Sequence, residues 1–112
     1  MPDDGTLDRT TFEELQDSAG AEFVVELIGT FLEEAPTMLS ELREALAAGN
    51  ADAFRRAAHS LKSNSNTFGA LRLGALAREL ELGAIPADAA PLDALAQEYA
   101  RVAAALTELK NA

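Results

Sequence analysis

The sequence predicts an all-α fold, an antiparallel up-down-up-down four-helix bundle with a short N-terminal capping helix. Three observations point there. Ala, Leu and Glu are abundant and β-branched residues scarce, a helix-forming composition. Apolar residues recur at three- and four-residue steps along four long stretches, and no stretch has the strict two-residue alternation of a strand. The 7 Gly and 4 Pro residues punctuate the chain sparingly, so the segments between them are long enough for helices.

A short first helix is expected over residues 10–17, where Thr11 and Glu14 have capping-box spacing and Phe12 and Leu15 form a small apolar face. The second, over residues 22–48, carries one stripe: Val24, Leu27, Ile28, Phe31, Ala35, Met38, Leu42 and Leu46. Pro36 lies inside it and is expected to kink the helix without ending it, because the stripe continues in phase. Gly49 is placed to stop this helix and Asn50 to cap the next. The third covers residues 51–68 and ends at Gly69. The fourth covers residues 70–82 and ends at Gly83, with Leu73, Leu76, Ala77 and Leu80 inward. After a linker at residues 84–90, Pro91 suits a first helical turn, and Leu92, Leu95, Tyr99, Val102, Leu106 and Leu109 form the seam of the last helix. Short connections between amphipathic helices give the bundle topology.

The 112 residues fit one domain, residues 1–112, with one core. The absence of Cys excludes disulfides, zinc–thiolate sites and a Cys nucleophile. A net charge of −10, no Trp and 5% aromatic residues argue against a nucleic-acid or anionic-membrane binder. No run reaches the ~18 apolar residues of a membrane span, and the acidic, polar start lacks the regions of a signal peptide, so the cytoplasm is the expected location. The initiating Met1 and a complete bundle favour a free-standing protein, and a complete core favours a monomer.

The charge is unevenly placed. Residues 1–50 hold 2 basic and 12 acidic side chains, whereas residues 51–80 hold 5 basic and 2 acidic. Residues 53–78 contain no carboxylate, and the chain's only histidine, His59, lies among them. Charge clusters are most often solvated faces, but a basic stretch in so acidic a chain suggests a site for an anion or an acidic partner.

On a helical wheel Phe54, Ala58, Leu61, Ser65 and Phe68 share one side, and His59 projects about 140° away from Phe54, on the polar face. Arg55, Lys62, Ser63 and Asn66 share that face. An exposed imidazole, with an ordinary pKa near 6.5, offers a nitrogen lone pair that can attack phosphorus. The phosphohistidine formed carries about two negative charges, which a Lys one turn away and nearby Arg residues would offset. Residues 63–67, Ser-Asn-Ser-Asn-Thr, form helix poorly, so something other than propensity selects them.

The stretch from Ala58 to Ala70 resembles the signature of histidine-containing phosphotransfer (HPt) domains, His-x-Leu-Lys-Gly with a second Gly six residues on. His59, Leu61, Lys62 and Gly69 match; Ser63 replaces the first Gly. The segments Phe31-Leu32-Glu33-Glu34-Ala35-Pro36 and Arg78-Glu79-Leu80-Glu81 also resemble family helices. The resemblance implies that His59 accepts a phosphoryl group from a receiver-domain aspartyl phosphate and passes it to another receiver. It implies that Lys62 steadies that group, with Ser63 adding a hydroxyl beside it, and that Arg55, Arg56, Asn66 and Gly69 belong to the docking surface. Partners are then response-regulator receiver domains and a hybrid histidine kinase. No cofactor is expected on this chain, Mg²⁺ being held by the receiver, and no metal site is found.

Two other functions compete. An interaction module would bind the same partners without taking up phosphate. A small hydrolase would use His59 as general base, but no carboxylate lies within six residues of His59 to orient it. The chain has no Gly-rich nucleotide loop, which argues against ATP-driven autophosphorylation. A ring packed in the interior, or locked against an acidic side chain, would end the case for the carrier.

Overall fold

The computed structural model describes residues 6–111. Residues 1–5, read above as lacking a signal peptide, and Ala112 lie outside the described residues. Five helices follow in order: α1 (Arg9–Ala19), α2 (Ala21–Ala48), α3 (Ala51–Thr67), α4 (Leu71–Leu82) and α5 (Ala90–Lys110). Among the described residues there is no strand. The four longer helices each pack on two neighbours, α2 on α3, α3 on α4, α4 on α5 and α5 back on α2; α1 lies against α2 and α3. The molecule measures 41 × 24 × 20 Å.

The helix boundaries follow from caps. The carboxylate of Asp8 accepts from the backbone N–H of Thr11 at 3.0 Å and from its hydroxyl at 2.5 Å, so α1 starts at Arg9 and not at the Thr11–Glu14 box expected from sequence. The carboxylate caps one free N–H of the helix end, and the Thr11 hydroxyl bonds to the same oxygen, so Thr11 supports the cap and does not itself provide it. Gly49 takes φ +67, the left-handed conformation that ends α2, and Asn50 caps α3 by accepting from the backbone N–H of Ala53 at 3.1 Å. α2 runs unbroken through Pro36.

The core is the set of faces the apolar spacing predicts. Val24, Ile28, Phe31, Ala35 and Leu42 of α2 are buried against Phe54, Ala58 and Leu61 of α3, Leu73, Ala77 and Leu80 of α4, and Leu92, Leu95, Val102 and Leu106 of α5. Phe31 sits at the centre of an aromatic group, 5.3 Å from the ring of Phe68 and 5.9 Å from that of Tyr99. Ser65, the polar member of the inward face of α3, is fully buried and donates its hydroxyl to the carbonyl of Leu61 at 2.6 Å. Burial without that bond would carry a desolvation penalty.

The turn between α3 and α4 is closed from outside by the N-terminal segment. Gly69 takes φ +81, and its carbonyl accepts from the backbone N–H of Asp8 at 2.7 Å. Leu7 is buried beside this strap. The tight turn returns α4 alongside α3 in the opposite direction, so that Asn66 meets Gly74 and His59 meets Glu81.

Candidate functional site

Phe54, Ala58, Leu61 and Ser65 bury one side of α3 and turn His59 outward. Its side chain keeps 58% of its exposure. The polar-face placement expected from the wheel is therefore what the structure has.

The surroundings of the ring differ from expectation. The sequence offered no carboxylate near His59, yet Glu81 of α4 places Oε2 2.5 Å from Nδ1. The other oxygen, Oε1, lies 2.8 Å from Nζ of Lys62 and is shielded from solvent. One carboxylate thus bridges the histidine and the lysine. It was missed because the search ran along α3, whereas the partner arrives from 22 residues downstream through the α3–α4 hairpin. The signal that could have found it is spacing on α4: Gly74, Ala77 and Glu81 share the face turned to α3.

A ring locked against an acidic side chain was named above as an outcome that would end the case for the carrier, and the ring does have an acidic partner. It occupies only one nitrogen. Among the described residues nothing bonds Nε2, which remains on an exposed ring. A carboxylate at Nδ1 selects the tautomer with the proton on that nitrogen and the lone pair on Nε2. The contact therefore directs reactivity to one atom and does not abolish it. The Lys62 ammonium, and after it the His59 ring, hold the Glu81 carboxyl below its usual range.

The other expected site residues divide into two groups. Lys62, Ser63 and Arg55 lie within about one turn of His59 on its face of α3, with Ser63 and Arg55 exposed. Arg56 is exposed as well but lies toward α2, where it lines a groove of about 350 Å³ with Met38, Glu41 and Ser60. Asn66 rests on α4, its amide oxygen directly over Gly74, where a Cβ would have no room. Gly69 is buried under Asp8 and Thr11, so its setting is the closed turn and not an open surface. No group of three or more metal-ligating side chains occurs among the described residues.

A buried carboxylate also escaped the sequence reading. Glu98 of α5 is 5% exposed; Oε1 lies 3.3 Å from Nε of Arg72, and Oε2 has no hydrogen-bond partner. It occupies the α4–α5 contact, away from His59.

Comparison with known proteins agrees with this geometry. The family model described as Hpt domain matches residues 26–105. The crystal structure of histidine-containing phosphotransfer protein B (HptB) from Pseudomonas aeruginosa PAO1 superposes with a TM-score of 0.88 at 29% identity, over 96% of each chain. No curated protein matches the sequence. Family and fold agree on histidine phosphotransfer in phosphorelays, and with 80 of its residues spanned by the family model, this chain belongs to the Hpt domain family.

Proposed function

We propose that the protein is a phosphocarrier in which Nε2 of His59 takes a phosphoryl group from the aspartyl phosphate of a receiver domain and yields it to another receiver. The observation that carries this is the arrangement of the ring: exposed, engaged at Nδ1 by Glu81 and unengaged at Nε2. Lys62, one turn along α3, supplies positive charge beside the incoming group, and the Ser63 hydroxyl donates a further hydrogen bond. Arg55 and Arg56, with Asn66 at the margin, form the surface an acidic receiver pocket meets. The receiver brings Mg²⁺ in that pocket. The carrier acts as a monomer in the cytoplasm, served by response regulators and a hybrid histidine kinase; no helix of the described residues is long and apolar enough to cross a membrane.

The test is transfer from a phosphorylated receiver in the presence of Mg²⁺. Wild type should gain acid-labile, base-stable label and His59→Gln none. Equal labelling of the two proteins would overturn the assignment.

The His59–Glu81 pair also meets the requirement for an oriented general base, which the sequence alone did not. A hydrolase would further need a pocket and donors for a developing oxyanion at Nε2. The ring stands open to solvent, and it does not line the groove formed by Met38, Glu41, Arg56 and Ser60. His59-dependent turnover of a simple aryl ester is therefore expected to be absent.

A further inference from the structure

Few large apolar side chains of the described residues stand exposed, and two of them belong to α4: Leu71 at its start, 49% exposed, and Leu82 at its end, 64% exposed. Gly74 and Glu81 mark the side of α4 turned to α3. On the helical wheel Arg78 lies about 50° and Leu82 about 90° beyond them, on the solvent side. Both therefore share the outer surface of the α3–α4 hairpin with His59, and Leu82 directly follows the residue that touches the ring. Arg78 is exposed, and its guanidinium has no ion pair among the described residues. Glu79 turns to the far side of α4, away from α3.

The two flanks of α3 differ in charge. Toward α2, Glu41 and Glu44 line adjoining grooves, so the charge of Arg56 is offset there. Toward α4, the free cation of Arg78 and the apolar Leu82 come first. A protein that reaches Nε2 of His59 has to cover more than α3, because a stable contact takes about 800 Å² from each partner, a disc of about 16 Å radius. An acidic partner is attracted on the α4 flank and repelled on the α2 flank.

We propose that the receiver docks over the outer surface of the α3–α4 hairpin, with Leu82 as the apolar contact beside the ring and Arg78 as the cation that meets a receiver carboxylate, the α2–α3 groove being left at the rim. This extends the receiver exchange proposed above and rests on it. The partner surface it fits is apolar opposite Leu82 and acidic opposite Arg78. Covering Leu82 keeps water from the reacting atoms, and the Arg78 pair fixes the receiver's orientation. Leu71 marks the limit of the contact: it stands 11 residues before Leu82, about 16 Å along the helix, at the edge of the disc.

The experiment uses isolated receiver domains from response regulators of the source organism and reads transfer and binding separately. Transfer from the phosphorylated receiver is timed over a range of receiver concentrations, at low and at raised salt. Leu82→Ser and Arg78→Ala should each raise the half-saturating concentration about fivefold or more, with the limiting rate within about twofold of wild type. The Arg78 effect should shrink at high salt and the Leu82 effect should persist. Leu71→Ser and Glu41→Ala should leave half-saturation within about twofold. Charging by phosphoramidate, a small donor that needs no docking surface, should be the same in wild type and every variant. Unchanged half-saturation in Leu82→Ser and Arg78→Ala would overturn the proposal. A Leu71→Ser effect as large as that of Leu82→Ser would also overturn it, because the occupant would then lie along the whole of α4. Backbone amide shifts on adding unphosphorylated receiver should cluster at residues 78–82 and spare residues 41–44; the reverse pattern would overturn the proposal. Shifts at residues 78–82 with no transfer to wild-type His59 would refute the phosphocarrier reading and leave the docking surface standing. Neither shifts nor transfer with any receiver would refute both.

Discussion

Gly69 and Ser63 are both small residues of the family signature region, and the structure gives them different reasons to be small. Ser63 is exposed on the His59 face. Gly69 is buried at φ +81, and a Cβ there would come 2.7 Å from the backbone carbonyl oxygen of Asp8 and 3.2 Å from Cβ of Thr11. Backbone cannot swing aside as a side-chain tip can. Gly69→Ala should therefore lose about 1–3 kcal/mol from the left-handed conformation alone, with more from the collision; urea denaturation measures it, and an unchanged midpoint would mean that the strap over the turn is loose. Leu61, one residue from Lys62 and fully buried, is the contrasting case. Leu61→Ala should cost about 2–5 kcal/mol by emptying core volume, and the same denaturation series reads it.

At the scale of the helix, α3 owes its start to Asn50 and its outward histidine to its inward apolar face. Asn50→Ala should destabilise the fold by about 1 kcal/mol. It should fray the first turn and leave phosphoryl uptake at His59, more than two turns further on, nearly unchanged; thermal melting and receiver labelling separate the two effects. This element was legible in the sequence almost to the residue, because the Asn cap, the apolar face and the terminating glycine are local signals. So were the stripe of α2 and the seam of α5. The start of α1 was legible only in part. Both Asp8 and Thr11 are good capping residues, and the choice depends on Asp8 taking two donors from Thr11 while its own N–H reaches Gly69. Glu81 and Glu98 were not legible as site and core groups. Their surroundings come from neighbouring helices, and a polar residue on a helical wheel does not announce which neighbour will cover it.

Across the whole molecule, the carboxylates with lowered pKa give stability a direction in pH. Hydrogen bonds from Thr11, its hydroxyl first and then its backbone N–H, lower Asp8; Lys62 and then His59 lower Glu81. A group that is more acidic folded than unfolded contributes stability above its unfolded range and loses it as pH falls through the folded value. Melting temperature should hold from neutral pH down to the ordinary carboxylate range and drop below it. Glu81→Gln should flatten part of that drop while leaving neutral-pH behaviour of the Asp8 strap intact. A parallel decline in wild type and variant would show that Glu81 carries no share.

The histidine and its carboxylate stand on opposite arms of one hairpin, joined at one end by the Gly69 turn. Their separation therefore registers how far one arm has slid along the other. Any rearrangement that separates α4 from α3 breaks the contact at Nδ1, and the nitrogen chemical shifts of the imidazole report whether the hairpin is closed.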